Sequence, residues 1–224
     1  MTFSSQSYFK ALLELLYKDS LHPAVAAMAA SDAGSWMAEL MAGFVTSADT
    51  GNEDLVIASR AALTDFCGAS TARLGLVCNG LLQNLKTRQG QDRVVVPTLE
   101  IIAFLFHVGL FPRGGDVVSL RSLCLQTQKA GYKTGNVRKL EACVKVYGAV
   151  AAIGDDSVNG VQEARKRLGA LLFHPWPRVR VMVVDELWGL VGDHGDHGDR
   201  LTGKDWAQAQ KSEIRAVVQE LRLE

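Results

Sequence analysis

The sequence predicts an all-α fold, a row of antiparallel helix pairs closed by a C-terminal helix. Three observations predict it. Apolar residues recur at three- and four-residue steps along almost the whole chain, where strands would alternate. Cap and turn residues cut that pattern into helix-length segments with short connections, which places neighbouring helices antiparallel. Several segments are apolar on two flanks, so each needs two neighbours, as helices stacked in a row do.

Taken in order, the expected helices are Gln6–Lys18, His22–Ala30, Ser35–Val45, Asn52–Cys67, Thr71–Gln89, Asp92–Val108, Asp116–Ala130, Asn136–Ile153, Ser157–Phe173, Pro177–Val191 and Lys204–Leu221. Asp32, Asn52, Asp92 and Ser157 stand near starts, where a short polar side chain satisfies a free amide. Gly131, Gly154 and Gly192 follow ends, where a left-handed residue is wanted. Two-flank patterns fall at Val94–Leu105 and Val144–Ala152, and between Pro177 and Val191. In the last, Val179, Met182, Val183, Leu187 and Leu190 form one flank and Val181, Val184, Trp188 and Val191 the other. The expected organisation is one domain over residues 1–224, with first helices in 1–48, repeats in 49–192, a polar loop in 193–203 and a capping helix in 204–224.

Composition narrows the function. Lysine plus arginine equals aspartate plus glutamate, so a nucleic-acid partner, which would need a phosphate-neutralising face, is not expected. Cys67, Cys78, Cys124 and Cys143 are scattered without a CxxC pair and read as reduced, buried thiols. Apolar runs such as "TLEIIAFLFHVGLF" contain charged residues and stop short of the roughly 20 residues a bilayer needs, so no membrane segment is expected.

The stretch "LFHPWPRVRVMVVDELW" shows the repeat type. A helix ends, two prolines frame a sharp turn, and a new helix begins at Pro177, where the missing N–H costs nothing. "PRVR" matches the second-helix start of a HEAT repeat. The aspartate that usually pairs with its arginine six residues on is replaced by His174. Weaker echoes at "NVRKLEACVKV", "DRVVVPTLEII" and "NEDLVIASRAAL" recur at roughly 40-residue spacing, in the HEAT and armadillo range.

The collinear series "GLLQNLKTRQGQDRVVVPTLEIIAFLFHVGLF", "SLCLQTQKAGYKTGNVRKLEACVKVYGAVA", "LGALLFHPWPRVRVMVVDELWGLV" and "DWAQAQKSEIRAVVQELRLE", from about Asp49 to Glu224, resembles the C-terminal region of the tubulin-folding cofactor D family. Members are much longer, so the resemblance implies a C-terminal fragment with Met1 as an expression start or truncation. It also implies a non-enzymatic chaperone role without cofactors, in the cytoplasm at the microtubule cytoskeleton. The implied partners are β-tubulin, tubulin cofactors E and C, and an Arf-like small GTPase. Because tubulin is acidic, a locally basic face is the expected contact. Its candidates are Arg113, Lys129, Lys133, Arg138, Lys139, Trp176 and Arg178, near turns or second-helix starts on one edge. A solvated rim, with Trp176 packed under the Pro175–Pro177 turn, is the plainer alternative.

Other chemistries are weaker. "DHGDHGD", Asp193–Asp199, holds metal-ligand types, and His194 and His197 would anchor a rival reading as a metal-dependent helical enzyme. Its glycines make a loop that binding would have to order, so a polar insertion without metal is expected. No G-x-S-x-G or H-E-x-x-H motif supports a hydrolase, and His107 is expected to be packed in the core. A solenoid serving another cargo, such as a transport receptor, is the third reading.

Overall fold

The computed structural model describes residues 4–20, 35–49, 51–113, 118–191, 201 and 203–223. Among them are ten α-helices and no strand. The chain divides into two compact units, Met1–Val118 and Ser119–Glu224. The expected helix His22–Ala30 and the "DHGDHGD" segment lie outside the described residues, as do Asp32 and Gly192.

The N-terminal unit holds α1 (Ser5–Ser20), α2 (Ser35–Ala48), α3 (Glu53–Ala69), α4 (Thr71–Thr87) and α5 (Asp92–His107). Helices two or three apart pack together, as do sequential ones: α1 lies on α3, and α2 on α4 and α5. Asn52 caps α3 by accepting from the Asp54 amide at 2.9 Å. A single residue, Ser70, separates α3 from α4, its Oγ accepting from the Arg73 amide at 3.2 Å. Phe9, Leu13 and Leu16 fall on one stripe of α1 and are fully buried, Phe9 meeting Phe44 of α2 edge to face at 5.3 Å.

Arg73 of α4 joins three helices. Its guanidinium lies 4.6 Å from the Tyr17 ring and 4.8 Å from the Phe66 ring, and both its amino groups donate to Glu14. Two aromatic faces and a bidentate carboxylate suit arginine's planar fork and would not suit lysine. Helix α5 is buried from Val94 through Leu99 and again at Ile101, Ile102, Leu105 and Phe106, as its two-flank pattern predicted. Its solvent side runs through Glu100, Phe104 and His107, one turn apart. His107 is therefore exposed, a correction to the expected core histidine, while Phe104 is covered by the Arg60 guanidinium at 5.2 Å.

One polar pair interrupts this core. Asn84 and Thr98 are fully buried, the Asn84 amide donating to Thr98 Oγ1 at 3.4 Å and Thr98 donating to the Val94 carbonyl at 2.7 Å. Asn84 Oδ1 has no hydrogen-bond partner. A buried acceptor left unpaired costs about 1–3 kcal/mol, more than its neighbours return. Asn84→Leu should therefore stabilise the N-terminal unit by about 1 kcal/mol, read as a higher urea midpoint at unchanged slope; a lower midpoint would show that the pair is worth more than its desolvation.

The C-terminal unit holds α6 (Leu120–Gly131), α7 (Val137–Ala151), α8 (Val161–Leu171), α9 (Pro177–Val191) and α10 (Lys211–Glu220). Helix α7 is its centre, touching α6, α8 and α9. Val144, Val146, Tyr147, Val150 and Ala151 are buried. Cys143 lies on α7 itself and Cys124 on α6, with Cys143 Sγ donating to the α6 Thr127 carbonyl at 3.6 Å. All four cysteines of the chain are buried, and burial pushes each thiol up to about 12, which disfavours the thiolate needed for metal binding or attack.

Three boundaries differ from expectation for local reasons. Helix α6 starts at Leu120, after Ser119 accepts from the Ser122 amide. Helix α8 starts at Val161, because Asp155 Oδ1 accepts from Ser157 N and Oγ at 2.9 and 2.7 Å and holds that turn out of the helix. The last helix starts at Lys211. Trp206 is buried, its indole N–H on the Leu201 carbonyl at 2.6 Å, and the Gln210 amide donates to Glu213 at 2.8 Å to mark the start.

The second flank of α9 is only partly covered: Val179, Val183, Val184 and Leu187 are buried, whereas Val181 and Trp188 are 42 % and 37 % exposed. Two close approaches fix this unit. Glu186 of α9 rests against Gly148 of α7 where a Cβ would stand, and burial there raises its carboxyl pKa against the opposing charge of Lys145. On α8, a Cβ at Gly169 would lie 2.5 Å from the Leu223 carbonyl oxygen and 2.8 Å from Leu223 Cβ.

Backbone cannot yield as a side chain can. Gly169→Ala should destabilise the unit by about 1–2 kcal/mol, overpacking of about 1–3 kcal/mol outweighing the helix preference for alanine of about 1 kcal/mol. Urea unfolding checks it, and a neutral or stabilising result would mean that Leu223 does not sit there.

Candidate protein-binding edge

Two turns of the C-terminal unit face one groove. The first joins α6 to α7. Helix α6 ends as the Tyr132 amide donates back to Lys129, and Lys133 (φ 49°) takes the left-handed position expected of Gly131. Asn136 then starts α7, its side chain accepting from the Lys139 amide at 3.1 Å. Tyr132 is 68 % exposed, with the Lys133 ammonium 5.2 Å from its ring centroid.

The second turn joins α8 to α9. His174 N donates to the Leu171 carbonyl at 3.0 Å, and the Trp176 amide donates to His174 Nδ1 at 3.1 Å. Nδ1 is an acceptor here, so the neutral imidazole carries its proton on Nε2. Trp176, 38 % exposed, meets His174 edge to face at 5.2 Å. Arg180, without the aspartate of the repeat pattern, donates to backbone instead: to the carbonyls of His174 at 2.9 Å, Trp206 at 2.8 Å and Ala207. The replacement by histidine thus turns a side-chain ladder into a clamp on the C-terminal segment.

Between the turns lies a groove of about 210 Å³. Leu140, Cys143 and Tyr147 of α7 and Ala170 and Leu171 of α8 contribute its apolar lining. Tyr132, Lys133, Arg167 and His174 also line it, and no carboxylate does. Residues 121–140 and 164–184 contain five basic residues each and no acidic one. Some of these hold the fold: Arg165 pairs with Asp156 at 2.7 Å, Arg167 with Glu163, and Arg180 with carbonyls.

Among the residues expected at the contact, Lys129, Lys133, Arg138, Trp176 and Arg178 are exposed in this unit, and Arg113 is exposed in the N-terminal unit. Lys139 is a correction: only 6 % of it is exposed. It lies one and two turns before the buried Cys143 and Val146, so its stem packs inward. Tyr132 and His174 were not among the expected residues, although each abuts one that was. Among the described residues no cluster of three or more potential metal ligands occurs, and no helix is long and apolar enough to cross a membrane.

Burial and the Arg180 charge lower the His174 pKa below its usual 6.5. The folded chain therefore binds fewer protons than the unfolded one, and stability falls as pH drops through about 6.5. Replacing the ring by an uncharged acceptor, His174→Asn, should flatten this dependence. Melting wild type and variant at pH 5.5 and 7.5 checks it; equal acid-side losses would place the sensitivity elsewhere.

A family model described as "Tubulin folding cofactor D C terminal" matches residues 2–139. The match includes Arg113, Lys129, Lys133, Arg138 and Lys139. It begins earlier than the resemblance read from Asp49 onward and stops before the α8–α9 turn, so Trp176 and Arg178 lie beyond it. No curated protein and no solved structure matches the chain.

Proposed function

Because the chain belongs to the tubulin folding cofactor D C-terminal family, we propose that it is a non-enzymatic segment of a tubulin-folding chaperone that grips β-tubulin. The family match carries this reading, and the carboxylate-free edge supports it. The partner surface is acidic, and the contact uses Arg113, Lys129, Lys133, Arg138, Trp176 and Arg178. Arginine and tryptophan are the types that most often dominate interfaces.

The segment acts as a scaffold. Tubulin cofactors E and C and an Arf-like small GTPase act with it in assembling and dismantling the αβ-tubulin heterodimer, and any nucleotide hydrolysis is theirs. Its place of work is the cytoplasm, at the microtubule cytoskeleton. No step needs a metal or cofactor from this chain.

Pull-down of αβ-tubulin by the full chain tests the reading. Binding should weaken between low and moderate salt as screening shortens. Lys129→Glu with Arg178→Glu should reduce retained tubulin by about 3- to 10-fold, the size expected for reversing two rim charges. Absence of binding at both salts would move the role of this helical array to another cargo.

A further inference from the structure

The groove between the α6–α7 and α8–α9 turns has a floor that the rim charges do not explain. At about 210 Å³ it is smaller than the roughly 300–1,000 Å³ of small-molecule sites, which suits one side chain better than a cofactor. Leu140, Cys143 and Tyr147 are almost fully buried beneath it, so an apolar group entering the groove meets a packed surface set by α7. Around it stand Lys133 and His174, with Arg167 already engaged by Glu163 through its Nε at 2.7 Å. Tyr132 projects at the rim and Trp176 abuts His174, giving two aromatic rings beside a positive, carboxylate-free opening.

We infer that this groove binds an acidic peptide segment through one large apolar side chain seated on Leu140 and Tyr147, its flanking carboxylates meeting Lys133 and the neighbouring cations. Charge complementarity selects the occupant. A basic segment would meet Lys133 at the groove and the exposed Lys129 and Arg178 of the surrounding stretches, and a purely polar one would leave the apolar lining unfilled. The anchor supplies residence and the charges supply register, because exposed ion pairs alone contribute little. The inference deepens the tubulin reading and rests on it only for the identity of the natural partner.

Fluorescence anisotropy with a fluorescein-labelled run of glutamates carrying one central leucine tests it, beside an all-glutamate peptide and a glutamine run with the same leucine. The proteins are the full chain and its Ala170→Phe, Lys133→Glu and Arg93→Glu variants, each checked for folding by circular dichroism. Ala170 is an exposed groove residue on α8, so the phenylalanine occupies the groove without touching the core.

The leucine-bearing acidic peptide should bind at least about 10-fold more tightly than all-glutamate, the value of burying one such side chain. Ala170→Phe should erase that difference. Lys133→Glu should weaken both acidic peptides about threefold, and Arg93→Glu, at an exposed position outside the proposed contact, should change neither. No binding, equal affinity for the two acidic peptides, no effect of Ala170→Phe, or equal binding of the glutamine peptide would each overturn the groove. Tubulin pull-down run in parallel separates the readings. Tubulin bound without peptide removes the groove alone, and peptide bound without tubulin removes the tubulin reading alone.

Discussion

A helix that is apolar on two flanks has to be covered twice, and that constraint organises both units. Helices α5 and α7 are buried on both flanks, and α7 is the element on which α6, α8 and α9 converge. Sequential packing alone would cover only one flank. The second is covered by a helix that is not adjacent in sequence, as α2 covers α5 and α9 covers α7. Where a close approach is needed, side chains give way: Glu186 rests on Gly148 and the Leu223 backbone rests on Gly169. The second contact also seats the C-terminal segment, which Arg180 ties down from the other side through two of its carbonyls.

Much of this was legible because helix period and cap chemistry are local signals. Pro177–Val191 is a helix at the predicted boundaries, and α3, α4, α5 and α7 lie within two residues of theirs. The failures occur where a tertiary or side-chain-to-backbone contact outbids the period. Asp155 captures Ser157 and delays α8, and the packing of Trp206 delays the last helix by seven positions, from Lys204 to Lys211. His107 reads as apolar by its neighbours, yet its stripe with Glu100 is the solvent side. Lys139 reads as a surface cation, but its spacing from Cys143 and Val146 puts it with the core.

The candidate edge was legible in outline and not in detail. Turn residues announce themselves, so Lys133 and Trp176 could be picked from the sequence. That the two turns share a groove depends on α7 packing against α8, which no local pattern encodes. Arg180 illustrates the difference. The repeat pattern marks it as structural and His174 as a departure. Only the folded chain shows that the same guanidinium then binds three backbone carbonyls and lowers the imidazole pKa beside the groove.

Charge bookkeeping explains how a chain of zero net charge can carry a selective basic edge. Of the ten basic residues in the two carboxylate-free stretches, Arg165, Arg167, Arg180 and Lys139 are tied into ion pairs, carbonyl contacts or the core. Lys129, Lys133 and Arg178 are exposed near turns, where long side chains lose much rotamer freedom if immobilised. At physiological ionic strength their fields fade within about 8 Å, so they act on a partner already in contact. Selectivity then has to come from shape. A small apolar groove set among those cations discriminates in a way that net charge cannot, because it rewards only the acidic segment that also brings a side chain to fill it.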